Sequence, residues 1–186
     1  LTALFAAVLG VLLCTFSKGE LHLALNAYHL PLLDYFFRFY TLLAEYGVYV
    51  VVVALLFYKV GDAAVVATAN IITGLIIQIA KHIVNAPRPF IWFSENMPDV
   101  TLPTVDGVTL NHYFSFPSGH TATFFALALA CCYLITTRTN KKRTEKVAQL
   151  LLFLFAALGG YSRIYLSQHF TADVLAGCLI GTVCAL

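Results

Sequence analysis

Charged residues are scarce in this chain of 186 residues. Asp, Glu, Lys and Arg together make up 11% of it, whereas 60% of the residues are hydrophobic. Soluble domains contain about a quarter charged residues, so this composition and the mean hydropathy of +0.84 indicate an integral membrane protein. The formal net charge of +2 is too small to indicate a nucleic-acid partner.

Several other common signatures are missing. The five cysteines lie within apolar runs, and an odd number there does not suggest a disulfide framework, so we expect packing residues. No Cys or His residues have the spacing of a zinc site. There is no internal repeat, low-complexity segment or second domain, which predicts one domain over residues 1–186. Residues 1–17 lack a leading basic region, which indicates a membrane span rather than a cleaved signal peptide.

The apolar runs predict an all-α, polytopic membrane helix bundle with about six transmembrane helices. The predicted spans are residues 1–17, a second span that begins before Glu45 and ends near Tyr58, residues 63–80, 119–137 and 147–162, and a sixth span that begins near Thr171. Residues 174–186 would form only about 20 Å of helix against a hydrocarbon core of about 30 Å, so we expect the native chain to continue beyond Leu186. The polar Asn70 and Gln78 are expected to hydrogen-bond to neighbouring helices.

Three segments between the spans are not apolar enough to cross a membrane. Residues 20–40 are rich in Tyr and Phe and are interrupted by Pro31, which fits either an interfacial segment or an ordinary loop with an aromatic belt. Residues 85–117 contain several prolines, so we predict an irregular connection whose aromatic residues cap the bundle at the bilayer surface. Residues 138–146 are predicted to form a short basic loop.

The order of the spans distributes the connecting loops between the two sides of the membrane. Lys59 and the basic loop 138–146 share one side, which the positive-inside rule predicts to be cytoplasmic. The third and fifth spans end on the other side, where the fourth and sixth begin. That periplasmic or exterior side collects the residues with the most useful chemistry: Lys81, Arg88, Ser118, Gly119, His120, Arg163, His169 and Asp173.

Two groups of these residues can bind an anion. Lys81 and Arg88 are seven positions apart, close to two helical turns, and share a face while the helix lasts. Pro87 and Pro89 predict that the helix ends near there, so a cation at the helix end and one just beyond it could grip one anion from two sides. Cations that snorkel to lipid headgroups would explain the same pair. Ser118 suits the N-cap of a helix, where free N–H groups favour phosphate, Gly119 leaves the backbone accessible, and His120 follows in the first turn. A capped helix with a histidine near water is the alternative.

The third group combines a base, an acid and a cation. His169 and Asp173 are four positions apart and would be neighbours on a helix. A carboxylate beside an imidazole fixes the tautomer of the ring and makes the far nitrogen a good nucleophile or base. Arg163 adds a bidentate donor for phosphate. The alternative is a structural His–Asp pair, but ionisable residues near a bilayer are expensive and are functional candidates by default.

The three groups together resemble the signature of the type 2 phosphatidic acid phosphatase family. The resemblance rests on Lys81-x6-Arg88-Pro89, on Pro117-Ser118-Gly119-His120 and on Ser162-Arg163-x5-His169-x3-Asp173, without departure in residue type or internal spacing. The motifs extend over residues 81–173, and the predicted six-span layout is similar to that of the family. The resemblance implies a metal-independent phosphatase that is an α-helical bundle and needs no cofactor.

The resemblance also implies a role for each residue of the site. His169 would attack phosphorus and form a phosphohistidine, with Asp173 orienting it. His120 would protonate the leaving oxygen and then help to activate water. Phosphate oxygens would be held by Lys81, Arg88, Ser118, Gly119 and Arg163. The other histidines, His22, His29, His82 and His112, are interpreted as interfacial or helix-end residues.

These features predict a lipid phosphatase in the cell (cytoplasmic or inner) membrane, with its site facing the periplasm or exterior. The expected substrate is a lipid with a phosphate monoester or diphosphate headgroup, such as undecaprenyl diphosphate, phosphatidylglycerophosphate, phosphatidate or a lipid A phosphate. No obligate protein partner is expected. The alternatives are a lipid phosphotransferase that uses the same histidine and, in a different class, a non-enzymatic anion or lipid transporter.

Overall fold

The computed structural model describes all residues 1–186 and is built from helices without strands, which confirms the predicted all-α class. The helices are α1 (Thr2–Thr15), α2 (Lys18–Leu25), α3 (Pro31–Tyr40), α4 (Leu43–Tyr58), α5 (Val60–Val84), α6 (Pro89–Asn96), α7 (Gly119–Thr136), α8 (Lys142–Tyr165) and α9 (Thr171–Cys184). Helix α4 begins before Glu45, as the length argument requires.

Helix α7 is the centre of the bundle and packs against α4, α5, α8 and α9. Its buried face includes the small residues Ala122, Ala126 and Ala130. Glycines of α9 face it: a Cβ at Gly177 would press on the Ser118 carbonyl oxygen, and one at Gly181 on the Ala122 carbonyl oxygen. Small residues let membrane helices approach closely. The start of α7 is therefore held tightly against α9.

Three helical stretches are long and apolar enough to cross a membrane: Val60–Asn96, which contains α5, and the helices α7 and α8. Helices α3 and α4 meet at an angle of 47° and would together make a fourth span. Helices α1 and α9 are apolar but have 14 residues each. The predicted membrane bundle is confirmed, whereas the count of six spans stays a prediction.

Two segments that connect the spans are more helical than predicted. Residues 20–40 are covered largely by α2 and α3, and the prediction of an irregular 85–117 is wrong for α6. Pro31 and Pro89 each occupy the first turn of a helix, where a missing N–H removes no hydrogen bond, so both start a helix instead of breaking one.

The predicted basic loop is also shorter than expected. Helix α8 starts at Lys142, so only the first residues of 138–146 lie outside a helix. Lys and Arg are good helix formers, and this favours extending α8 into the charged segment.

The two polar residues of α5 do not bond to neighbouring helices as predicted. The side chain of Asn70 donates instead to the Val66 carbonyl of its own helix, 2.9 Å away. The side chain of Gln78 makes no hydrogen bond.

A buried acid, Asp62, lies at the end of the bundle where α8 begins. Asp62, in the first turn of α5, is buried and forms an ion pair with Arg138, and its other oxygen lies 4.0 Å from the Lys59 amine. Lys59 and Arg138 therefore meet at one end of the bundle. This agrees with the predicted sharing of one side by these two connections.

Candidate active site

Four helix ends meet at the opposite end of the bundle, where α5 and α8 finish and α7 and α9 begin. The Ser118 N–H donates to the Asp173 carbonyl oxygen over 3.0 Å, which ties the start of α7 to the start of α9. The loop 166–170 between α8 and α9 is wholly buried. The fold thus brings the three sequence motifs to one place.

His169 lies in this loop and is 1% exposed. Its Nδ1 is 3.4 Å from the Asp173 Oδ2, so the two side chains do meet, although His169 lies in the loop before α9 and only Asp173 lies on the helix. That carboxylate oxygen is fixed by two donors, the Ser115 hydroxyl at 2.5 Å and the Phe170 N–H at 2.9 Å. Asp173 can therefore hold Nδ1, while Nε2 makes no hydrogen bond within the protein.

The surroundings of His169 favour the neutral imidazole. Burial lowers the pKa of His169 to about 3, and the nearby Arg88 and Arg163 act in the same direction, whereas the Asp173 carboxylate opposes them. A neutral ring keeps a lone pair on Nε2. Since the nucleophile of a covalent mechanism must be unprotonated, this environment suits His169 for attack on an electrophile.

Arg88 is held in extended backbone just before α6. Its Nε donates to the Tyr113 carbonyl at 2.9 Å and its Nη1 to the Gln168 Oε1 at 2.9 Å. The guanidinium of Arg88 remains charged, as arginine does in proteins. Helix α5 ends at Val84, so Lys81 lies in its last turn and Arg88 lies just beyond its end, as Pro87 and Pro89 predict.

The other two cations approach the same point from α8 and α5. Arg163 is 6% exposed, its Nη1 donates to the Thr41 hydroxyl at 2.6 Å, and its buried Nε has no partner. Lys81 makes no side-chain hydrogen bond or ion pair and is close enough to interact electrostatically with Arg88, Arg163 and Asp173. Buried donors without partners are costly, and an anion placed between these groups would satisfy them.

The start of α7 supplies the last part of the site. Ser118 is the N-cap of α7, as predicted, and its Oγ accepts from the Thr121 N–H at 3.4 Å and the Thr121 hydroxyl at 2.9 Å. His120 follows in the first turn, with Nε2 3.1 Å from the Glu45 Oε1 of α4. The free N–H groups of a helix start carry partial positive charge and attract anions.

A polar cavity of about 430 Å³ opens beside His120 and Arg163. Its lining includes Arg38, Thr41, Glu45, Asn111, His120, Arg163 and Gln168. The combination of a neutral buried histidine, a second histidine near water and clustered cations can bind an oxyanion and exchange a proton with it.

The sequence analysis did not predict four residues that contact the site residues: Thr41, Glu45, Ser115 and Gln168. Of these, only Glu45 carried a signal in the sequence, because it is an acid in an apolar run.

A buried polar network lies on the far side of the His169 loop. His22 is fully buried with Nε2 3.4 Å from the Ser167 Oγ, so its interpretation as an interfacial residue is wrong. The Asn26 amide donates to the same oxygen at 2.7 Å, and the Ser167 hydroxyl donates to the Pro103 carbonyl at 2.7 Å. Ser167 has a left-handed backbone with φ of 50° two residues before His169, and these bonds hold it there.

This network makes the fold sensitive to acid. Burial lowers the pKa of His22 to about 4, so the unfolded chain binds this proton first as the pH falls. The contribution of neutral His22 to the free energy of unfolding is fully present above the unfolded pKa of about 6.5. It is lost as the pH falls toward 4, by up to about 3 kcal/mol. We expect His22→Gln, which keeps a hydrogen-bonding group but does not titrate, to reduce this loss in thermal unfolding at pH 7.5 and pH 5. His82→Gln, at an exposed site, is the control and should behave as the unmodified chain.

Comparisons with known proteins agree with this arrangement. The family model of the PAP2 superfamily matches residues 62–186, and the chain belongs to that superfamily. The predicted family resemblance is thereby confirmed.

Individual relatives extend the similarity over most of the chain. A lipid A 4'-phosphatase of Porphyromonas gingivalis is 28% identical over 89% of this chain and 69% of its own length. The crystal structure of Aquifex aeolicus LpxE matches with a TM-score of 0.71 at 30% identity, covering 92% of this chain and 94% of that one. The crystal structure of a PAP2-type phosphatidylglycerolphosphate phosphatase from Bacillus subtilis has a TM-score of 0.70 over 98% of this chain and 90% of that one, but at 21% identity it shows the fold alone.

Other relatives are longer than this chain. It spans 45% of lipid phosphate phosphatase 2 of Arabidopsis thaliana, at 33% identity over 62% of the chain, and 20% of a putative phosphatidate phosphatase of Drosophila melanogaster. These comparisons establish the family and the fold of the chain.

Proposed function

We propose that the chain is a membrane lipid phosphatase that hydrolyses a phosphate monoester or diphosphate headgroup through a phosphohistidine on His169. The observation that carries this proposal is the buried pair formed by the neutral His169 imidazole and the Asp173 carboxylate, beside the cations Arg88 and Arg163. Relatives named as lipid phosphate phosphatase and lipid A 4'-phosphatase support the class of substrate.

In the first step, Nε2 of His169 attacks phosphorus as the bond between phosphorus and the leaving oxygen breaks. His120 gives its proton to that oxygen, and the lipid departs as its alcohol from a monoester or as its monophosphate from a diphosphate. Asp173 stabilises the positive charge that develops on His169. Lys81, Arg88 and Arg163 neutralise the phosphoryl oxygens, which is the main requirement of phosphoryl transfer.

In the second step, water attacks the phosphohistidine. His120, now neutral, takes a proton from the water, the bond between nitrogen and phosphorus breaks, and its electron pair returns to His169. Inorganic phosphate leaves, carrying the oxygen of the water. In this scheme three cationic side chains do the charge neutralisation that magnesium ions do in kinases, so activity should persist in a chelator.

An apolar groove beside the site supports a lipid substrate. A cavity of about 400 Å³ between α4 and α5 is lined by Val48, Tyr49, Val52 and Ile71, among others, and Glu45 lines both this groove and the polar cavity. An acyl chain in the groove would leave its phosphate at the polar cavity. The basic residues Lys59 and Arg138 lie at the other end of the bundle, which supports a site facing the periplasm or exterior.

The test is phosphate release by purified protein from a lipid panel in the presence of EDTA. The panel holds phosphatidate, phosphatidylglycerophosphate, undecaprenyl diphosphate and lipid A, and we expect release from at least one of them. Total dependence on added metal would contradict the mechanism. Product analysis with an acceptor lipid distinguishes hydrolysis from phosphotransfer, and lipid or anion flux in liposomes without phosphate release would favour a transporter.

Gly119 offers a direct test of the phosphate cradle. A Cβ built there meets no protein atom closer than the Ile77 Cγ2 at 3.4 Å, which is an ordinary contact, so Gly119→Ala should fold normally. The added methyl group would instead stand where a phosphate oxygen approaches the N–H groups of α7. We expect kcat/KM to fall by about 100-fold, because small displacements of a reacting group are costly. Unchanged kcat/KM in a folded variant would remove Gly119 from the cradle.

A further inference from the structure

We infer that Glu45 is a positioning residue that acts through His120. It holds Nε2 of the imidazole and stabilises the proton that His120 delivers to the leaving oxygen. The inference rests on the proposed phosphatase activity and adds a second His–carboxylate pair to the site. None of the three sequence motifs contains Glu45.

The break between α3 and α4 brings Glu45 to the site. Glu45 lies in the first turn of α4, and its Oε1 is 3.1 Å from the His120 Nε2. The hydroxyl of Thr41, within the same break, accepts a hydrogen bond from the Arg163 Nη1 at 2.6 Å. Ala44 packs in the core beside Phe124 and fixes this segment. One short segment thus contacts two residues of the proposed mechanism.

The charges around His120 explain why a carboxylate is needed. The positive charges of Arg163 of α8, Lys81 of α5 and Arg88 before α6 lie close enough to act on it electrostatically. A general acid must carry a proton when substrate binds, and neighbouring positive charge opposes that proton by Coulomb repulsion. Glu45 is the one acidic residue that lines the polar cavity, so it is the group that can offset this repulsion.

The two His–carboxylate pairs differ in their access to water. In the His169–Asp173 pair the side chains are 1% and 7% exposed, whereas in the His120–Glu45 pair they are 25% and 47% exposed. The buried pair suits a neutral nucleophile. The solvent-accessible pair suits a group that gains and loses a proton in every turnover. With Nε2 held by Glu45, Nδ1 of His120 is the nitrogen that gives its proton to the leaving oxygen and later takes one from water.

The test uses two substrates with the same alkyl chain, one an alkyl phosphate and one an alkylphenyl phosphate. An alkoxide needs a proton in order to leave and a phenolate does not, so only the alkyl substrate depends on the acid. For Glu45→Gln we expect single-turnover release of the alcohol to slow by about 100-fold and release of the phenol by less than about threefold. KM should change little. Glu95→Gln, at an exposed residue of α6, is the matched control and should keep both rates.

The outcomes separate this inference from the proposed function. Equal losses on both substrates, or no loss on the alkyl substrate, would overturn the role of Glu45 while leaving the phosphatase activity in place. Absence of phosphate release by the unmodified chain would overturn the function itself. Glu45→Asp, which retains the carboxylate one methylene shorter, should recover part of the alkyl rate; recovery no better than with Gln would also count against the inference.

Discussion

Replacing His169 by alanine is expected to reduce phosphate release from lipid by at least about 10⁴-fold, because the covalent route through a phosphohistidine disappears with its nucleophile. The remaining cations can still bind phosphate, so KM for any residual activity should change less than kcat. The measurement is phosphate release in EDTA, together with thermal unfolding of the variant in the same detergent. The unmodified chain should also carry an acid-labile phosphoryl label during turnover, and the variant should not.

His82→Ala is the matched control for this substitution. His82 is also next to the site in sequence, but it is exposed at the end of α5 and its Nδ1 bonds to the Gln78 carbonyl of its own helix at 2.8 Å. This variant should retain its activity. If His169→Ala kept activity within about tenfold of the unmodified chain, another nucleophile would be needed and the phosphohistidine mechanism would be abandoned.

The convergence of the site was predictable because each motif sits at the end of an apolar run. Counting the runs placed Arg88, His120 and His169 on one side, and the structure brings these residues together near the buried Nε of Arg163, which has no partner. Local geometry was less predictable. Pro87 and Pro89 predict that the helix of Lys81 ends before Arg88, but not that Asn85 ends it in a left-handed conformation with φ of 41°.

The partners of the motif residues could not be read from the sequence, since they depend on tertiary packing. Thr41 binds Arg163 across a sequence separation of 122 residues, and Gln168 binds Arg88 across 80. Ordinary polar residues such as these carry no local signal. The interpretation of His22 was wrong for the same reason. Its sequence neighbours suggested a position at the membrane interface, whereas α2 folds over the loop that carries Ser167. Glu45 was the exception, as an acid in an apolar run is a signal in itself.

The close packing of α9 against α7, which aligns the site, makes the stability of the fold sensitive to substitution of Gly181. At Gly181→Ala the new Cβ would press on the carbonyl oxygen, carbon and Cα of Ala122, which are backbone atoms of α7 that cannot rotate away. Helix α9 would have to move outward, and overpacking of this kind costs about 3 kcal/mol. We expect the temperature of unfolding in detergent to fall by roughly 6–12 °C.

Activity should fall with stability in this variant, because α9 carries Asp173 and accepts the Ser118 N–H through the Asp173 carbonyl. Gly10→Ala in α1 is the control: its Cβ meets nothing within 4 Å, so the change should be neutral or slightly stabilising, as alanine favours helix over glycine by about 1 kcal/mol. Equal unfolding temperatures for the two variants would show that α7 and α9 are not packed as closely as the glycines indicate. A stable Gly181→Ala protein with full activity would also mean that the position of Asp173 does not depend on this contact.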